Sequence, residues 1–357
     1  MKIIIGIFAY NEAAVIAETL SSLLGQSLFR EPESNLNIEI IVVPNGCSDD
    51  TASVAEKTLN DLKINSTTNN FNYKVCELKQ PGKTNAWNVF VHNLSDPKAD
   101  YIFLMDADIQ LIEQQTLRSM IDVLQTTPEA HVSVDRPIKD VLLKENKNII
   151  ELLSALISKL SGSKTIKENS AAWICGQLYC VRAEILRRIW LPVGILNEDG
   201  FLYTAITTDL WQSPVKPERV ILASQAAHTF EAYTNFYNLW RHEKGLICGN
   251  VINQLIYEDL LTATNDYGNM GQIVKNKNEQ NQRWLQDLIQ AKTAEKGWWL
   301  IPRLILIRRF LSLKNKPIHK SILLFPLALT AFLIDLLIAI QANWELHEGK
   351  GLIYWGK

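Results

Sequence analysis

Four apolar runs in the first third of the chain, IIIGIFAY, IEIIVVP, YKVCEL and YIFLMD, alternate with stretches whose apolar residues recur at helical spacing. Strands this apolar on both faces have to be covered on both faces, the condition of a parallel sheet packed between helices. The expected fold class is therefore α/β: a Rossmann-like, mostly parallel sheet with helices on both faces, followed by C-terminal hydrophobic helices. In such sheets ligands bind outside the carboxyl ends of the strands. Chemistry is expected in the loops after Tyr10, Val43, Leu78 and Met105.

At 357 residues the chain accommodates one large domain and an appendage. The division expected is a main domain over 1–230, itself split at 135, a helical extension over 231–295, and hydrophobic helices over 296–357. The second half of the main domain contains the helical text IIELLSALISKL, the apolar run WICGQLYCV, the turn LPVGILNEDG and the strand-like RVILASQAAHTF. With 36 basic and 38 acidic residues the net charge is −2, which gives no general attraction to nucleic acid, so an anionic ligand must be met by a local cluster. Five cysteines without CxxC spacing favour neither a disulfide framework nor a zinc site, and read as a reducing, cytosolic setting. The opening MKIIIGIFAYNE is too short in its apolar run for a signal peptide and reads as the first buried strand.

The C-terminal text is membrane-like. WWLIPRLILIRRFLSL sets tryptophans and arginines on an apolar body, as at a bilayer interface, and ILLFPLALTAFLIDLLIAI is nearly long enough to span a hydrocarbon core of about 30 Å. Asp335 in that run is expected to face protein, or else the helix to lie shallow, and the other reading is a buried C-terminal helix docked on the main domain. Trp298, Trp299, Trp344 and Trp355, with Arg303, Arg308, Arg309, Lys314 and Lys316, fit an interfacial belt attracted to anionic lipid on a cytoplasmic leaflet.

In YIFLMDADIQL, Asp106 and Asp108 follow an apolar strand directly, where two carboxylates can meet a hard cation. In QPGKTNAWN, Lys83 stands at a helix start, where phosphate binds readily, although the P-loop spacing is missing. In PNGCSDDTA, Asn45 sits at a strand end, where its amide could pair with a base edge, and Ser48, Asp49 and Asp50 are cap candidates. LNEDGFL sets Glu198 and Asp199 side by side at a helix start, suited either to compensating the helix dipole or to deprotonating a hydroxyl.

The succession strand-YNE, strand-PNGCSDDT, GKTNAWN, strand-DAD, GQLYCVR and NEDGFL, over roughly residues 2–245, resembles the family 2 glycosyltransferases of the GT-A fold. The resemblance implies that Tyr10 and Asn45 hold the nucleotide base, with Pro44-Asn45 replacing the usual acidic pair. It also implies that Asp108 is the main metal ligand, that Asp106 faces the donor sugar or ribose and shares the metal, and that Asp199 is the general base, oriented by Glu198. Residues 1–135 would then be the nucleotide-sugar half and 136–230 the acceptor half. Arg241, in NLWRHEKG, is similar to an arginine that polymerising members use near the diphosphate and acceptor. His228 is a candidate to complete the metal shell.

The activity expected is inverting sugar transfer from a nucleotide diphosphate donor, gripped by Tyr10, Glu12, Asn45 and Lys83, to a sugar or lipid-linked acceptor. It would need Mn²⁺ or Mg²⁺ and would take place at the cytoplasmic face of the inner membrane. Two other readings remain. A nucleotidyltransferase on the same sheet would need a glycine-rich basic first loop, which IFAYNEAAVI lacks. A membrane-tethered nucleotide-sugar-binding or scaffold protein would keep the fold without turnover.

Overall fold

The computed structural model describes residues 1–31, 36–65, 71–142, 170–232, 235–263, 270–314 and 316–349. The helix expected over IIELLSALISKL and Trp355 lie outside the described residues. Eight strands form one sheet in the order β3-β2-β1-β4-β7-β6-β8-β5. They are β1 (Lys2–Ala9), β2 (Asn37–Pro44), β3 (Phe71–Val75), β4 (Tyr101–Asp106), β5 (Ile109–Leu111), β6 (Val132–Lys139), β7 (Leu178–Arg182) and β8 (Val220–Phe230). Strands β3, β2, β1 and β4 run parallel. β7 then pairs antiparallel with both β4 and β6, β6 runs parallel to β8, and β8 pairs antiparallel with β5.

Both faces of the sheet are buried. On β1, Ile4 and Phe8 belong to one core while Ile3, Ile5 and Ile7 belong to the other, all at most 2% exposed. Each such side chain contributes roughly 1.5–3 kcal/mol. Helices α1 (Ile16–Leu24), α2 (Thr51–Ile64) and α4 (Thr116–Thr126) cover one face through Leu20, Leu59 and Met120. The other face is covered by α3 (Lys83–Val89) and α5 (Glu198–Thr207), through Trp87 and Phe201. Two strands carry no legible strand pattern. β5 has three residues, and β6 reads VSVDRPIK, whose Pro137 is tolerated because a bulge interrupts the register between Val134 and Arg136. Of WICGQLYCV only the last part enters a strand.

The remainder is helical: α6 (Phe236–Ala263), α7 (Met270–Gln280), α8 (Trp284–Lys296), α9 (Arg303–Lys314) and α10 (Ile318–His347). α6 adds Ile247, Val251 and Leu255 to the core. α10 is long and apolar enough to cross a membrane by length and composition. Its last turns are packed on the protein, and Asp335 is 3% exposed there, held by Nε of Arg308 at 3.0 Å and Nε of Arg309 at 2.8 Å.

Candidate active site

The carboxyl ends of the central parallel strands lie in line, since Ala9 pairs with Pro44 and Phe8 with Asp106. The loops that leave them are stitched together. After β1 the chain turns on Asn11, whose φ of 55° is left-handed, and whose Oδ1 accepts the Ser48 N–H at 2.8 Å. The Glu12 N–H donates to Thr51 Oγ1 at 2.8 Å and the Ala13 N–H to Asp49 Oδ2 at 3.2 Å. Tyr10 and Glu12 therefore stand in a loop fixed by the helix start that follows β2. Asp49 accepts the Thr51 N–H and hydroxyl just before that helix, whose N-cap is Asp50 without a side-chain cap bond, so none of Ser48, Asp49 and Asp50 caps it through its side chain.

Asn45 requires a correction. It is fully buried, its Nδ2 donates to the Ala9 carbonyl at 2.9 Å, and its Oδ1 accepts the Gly82 N–H at 3.0 Å. Donor and acceptor are both spent on backbone, so Asn45 ties the first, second and third loops together and presents no free edge to a base.

Three motifs far apart in sequence meet at one ammonium. Lys83 opens α3, and its Nζ lies 2.6 Å from Asp106 Oδ1 and 3.1 Å from Glu198 Oε1, and donates to the Gly176 carbonyl at 3.1 Å. All three side chains are less than a fifth exposed. Burial opposes the charge on Lys83, but Asp106 and Glu198 outweigh it and its pKa is raised. Gly176 lets the segment before β7 approach: a Cβ there would sit 3.3 Å from Glu198 Oε1 and 3.6 Å from Lys83 Nζ. Asp106 ends β4, and Asp108 follows in the turn, half-buried. Burial pushes the Asp106 carboxyl up to about 6 against the pull of Lys83, with the neighbouring charge of Asp108 adding to the rise.

Asp199 lies in the first turn of α5, whose cap is Asn197; Asn197 Oδ1 accepts the Gly200 N–H at 3.0 Å and Asp199 Oδ1 accepts it at 2.8 Å. Burial first, and then the charge of Glu198, push the Asp199 carboxyl up to about 6. Glu198, expected to orient Asp199, spends its Oε1 on Lys83 instead. Asn197 is itself gripped from α6, by the Asn250 side chain at 3.0 Å and by Asn253, which donates to its carbonyl at 2.8 Å. Gly249 permits this approach, because a Cβ there would fall 2.6 Å from Asn197 Cβ. Arg241 lies on the same helix, eight residues before Gly249, about 12 Å along the axis.

Sequence reasoning missed a layer beneath these residues. The Gln177 carbonyl accepts the Asp106 N–H at 2.9 Å, and its side-chain Oε1 lies 3.2 Å from His228 Nε2. His228 Nδ1 lies 2.7 Å from Asp135 Oδ2, both side chains being fully buried. Both ring nitrogens of His228 thus already have partners, which corrects its reading as a candidate for a metal shell. The pair joins residues 93 apart on β6 and β8, and no spacing in the sequence announces it. Tyr179 on β7 accepts the Trp87 Nε1–H at 2.9 Å, and burial raises its pKa. Among the described residues no group of three or more His, Cys, Asp or Glu is placed to hold a metal.

The profile of the family described as Glycosyl transferase family 2 matches residues 4–187. Curated proteins give no match. Among solved structures, a mannosyltransferase, PcManGT from Pyrobaculum calidifontis, in complex with GDP-Man and Mn²⁺, is similar with a TM-score of 0.49 at 16% identity, over 96% of this chain and 87% of that one. Glucosyl-3-phosphoglycerate synthase from Mycobacterium tuberculosis, in complex with Mg²⁺ and uridine diphosphate, gives a TM-score of 0.45 at 16% identity, over 71% and 79%.

Proposed function

Since the chain belongs to glycosyl transferase family 2, we propose that the residues gathered at Lys83 transfer a sugar from a nucleotide diphosphate donor to an acceptor hydroxyl, with inversion and with a divalent metal. The observation that carries this reading is the convergence of Lys83, Asp106 and Glu198 on one point beside Asp199. Residues 1–135 form the donor half and 136–230 the acceptor half, with 231–295 as a helical extension and 296–357 associating with the membrane. The acceptor is lipid-linked or a glycan precursor at the cytoplasmic face.

Tyr10 takes the nucleotide base, and Glu12 lies beside it at the donor end. The diphosphate lies at the start of α3, where Lys83 meets it as a point charge that burial makes strong. A hard cation is commonly held by one or two carboxylates together with substrate phosphates. Asp106 and Asp108 fit that role, and the lack of a larger carboxylate or histidine cluster among the described residues fits a metal that arrives with the donor. When bound, such a cation neutralises charge developing on the departing diphosphate. Asp199 then takes the proton of the attacking hydroxyl; with its pKa near 6 it is ionised at neutral pH yet basic enough to accept a proton in the transition state. Glu198 keeps Lys83 in place, and Arg241 serves the acceptor side from α6.

The test is a thermal-shift panel of UDP, GDP, CDP and dTDP, each with and without Mn²⁺. A ligand that binds only the folded chain raises the melting temperature. One nucleotide stabilising the chain only with the metal is the expected result. No shift with any of them would remove the donor site from Lys83 and Asp108.

A further inference from the structure

Beyond the transfer reaction, the C-terminal helices pose a separate question of how the chain meets a bilayer. Residues 335–347 of α10 are welded to the protein. Asp335 is clasped by Arg308 and Arg309, and Arg308 also reaches Glu243 on α6 at 2.6 Å. Further along, Gln341 accepts the Trp240 Nε1–H at 2.7 Å and Glu345 pairs with Lys244 at 2.6 Å. Asn343 bonds the backbone of Trp298 and Leu300. One face of this segment, with Asp335, Ile338, Ala339, Ala342 and Leu346, is thereby packed on the protein, while Leu337, Ile340 and Trp344 on the other face stay exposed.

The uncovered apolar face of α10 runs from Ile318, 79% exposed, past Leu337 and Ile340 to Trp344, 61% exposed. On it Ile322, Leu323 and Leu327 are 66–79% exposed, and Leu333, eleven residues and so about three turns after Ile322, is 52% exposed on the same face. An apolar face along a helix whose opposite face is packed on the protein suits a helix lying along a bilayer surface with that face in the acyl boundary. α9 turns back along α10, with Phe310 against Phe325 and Phe332 and Ser321 Oγ bonded to the Leu313 carbonyl. The connection carries the exposed cations Lys314, Lys316 and Lys320.

We propose that α9 and α10 form a hairpin anchor that enters a single leaflet of an anionic bilayer without crossing it, with the lysines of its turn held at the same headgroup layer. Lysine stems bury along apolar surface while their ammonium groups stay in water, so a turn carrying three of them complements anionic lipid headgroups. Crossing would carry those ammonium groups through the hydrocarbon or detach Asp335 from its arginines. The clasp bears on α6, the helix whose Asn250 and Asn253 hold the cap of α5. On the proposed function, this sets the acceptor side of the site towards the headgroup layer.

The experiment uses the full chain with sealed vesicles and needs no turnover, so its failure is distinct from failure of the transfer reading. Co-sedimentation with phosphatidylcholine vesicles containing phosphatidylglycerol is expected, falling several-fold with phosphatidylcholine alone or in high salt. Leu323→Glu with Leu327→Glu should abolish it while leaving the circular dichroism and melting curve unchanged. A membrane-impermeant amine reagent added outside should modify Lys314, Lys316 and Lys320, read by mass spectrometry, as fully as after detergent lysis. Modification only after lysis would show a crossing segment and overturn the proposal. So would equal binding by the double variant, or a stable dimer lost in that variant with no vesicle binding by either.

Discussion

Asp199 carries two opposed demands. In the fold its carboxyl holds a proton up to about pH 6, against 3.8 for the unperturbed group. The folded state therefore binds that proton more tightly. This contribution to stability is fully present below about pH 4 and is lost as the pH rises through 6, leaving a partly buried charge at neutral pH. Asp199→Asn should accordingly be more stable than the parent at pH 8, by about 1–3 kcal/mol, and nearly equal to it at pH 4, as denaturant melts at the two values would show. The same change should lower kcat by about 10²–10⁴. In the parent, kcat/KM should fall as the pH drops through about 6, where Asp199 and Asp106 gain protons. An activity that stays flat to pH 5 would exclude a carboxylate base of this kind. Asp106, Asp108, Glu198 and Asp199 were all legible as residues in the sequence. That Glu198 serves Lys83 rather than Asp199 was not, because one helical turn offers both carboxylates to the same space and only the folded position of Lys83 chooses between them.

The element that organises the site is the start of α3. Removing the ammonium in Lys83→Met leaves Asp106 and Glu198 facing each other with little water. The expected loss is about 3–5 kcal/mol at pH 8, smaller at pH 5 where Asp106 is protonated, with a raised donor KM in the fraction that folds. The loops around it are an element in their own right. Asn45→Ala should cost about 1–3 kcal/mol by orphaning the Gly82 N–H, while the Ala9 carbonyl keeps the Asn45 backbone N–H, and should leave the order of nucleotide preference unchanged in the thermal-shift panel. A changed order would return Asn45 to the base. Four strands and their helices were readable from continuous apolar runs because burial on both faces removes polar residues from them. β6 was not, because Asp135, Arg136 and Pro137 fall within it and each has a partner or a bulge that only the folded sheet provides. The loop roles were unreadable for the same reason: Asn45 looks identical in sequence whether its amide meets a base or the backbone.

At the scale of the whole molecule, the sheet, the extension and the C-terminal helices form a chain of contacts from α10 to the first turn of α5. α6 is the shared member, touching Asp335 through Arg308 and Asn197 through Asn250. The fold class and the membrane-like C-terminus were legible because composition and periodicity report burial directly. The reach of Asp335 back to α9 was foreseen only as a need for protein contact. Metal dependence belongs to this scale, since on the proposed function the chain would supply two carboxylates and the donor the rest. Titration calorimetry should show weak Mn²⁺ binding to the chain alone and at least tenfold tighter binding once the matching nucleoside diphosphate is present. The most direct test of the account compares nucleoside diphosphate release from the matching nucleotide sugar, in the presence of membrane lipid extract, by the parent and by Asp199→Asn, with donor affinity measured for both. Unchanged affinity with release slowed about 100-fold or more is the predicted result; equal rates of release would contradict the assignment of Asp199 as the base and, with it, the reading of the Lys83 cluster as the place of transfer.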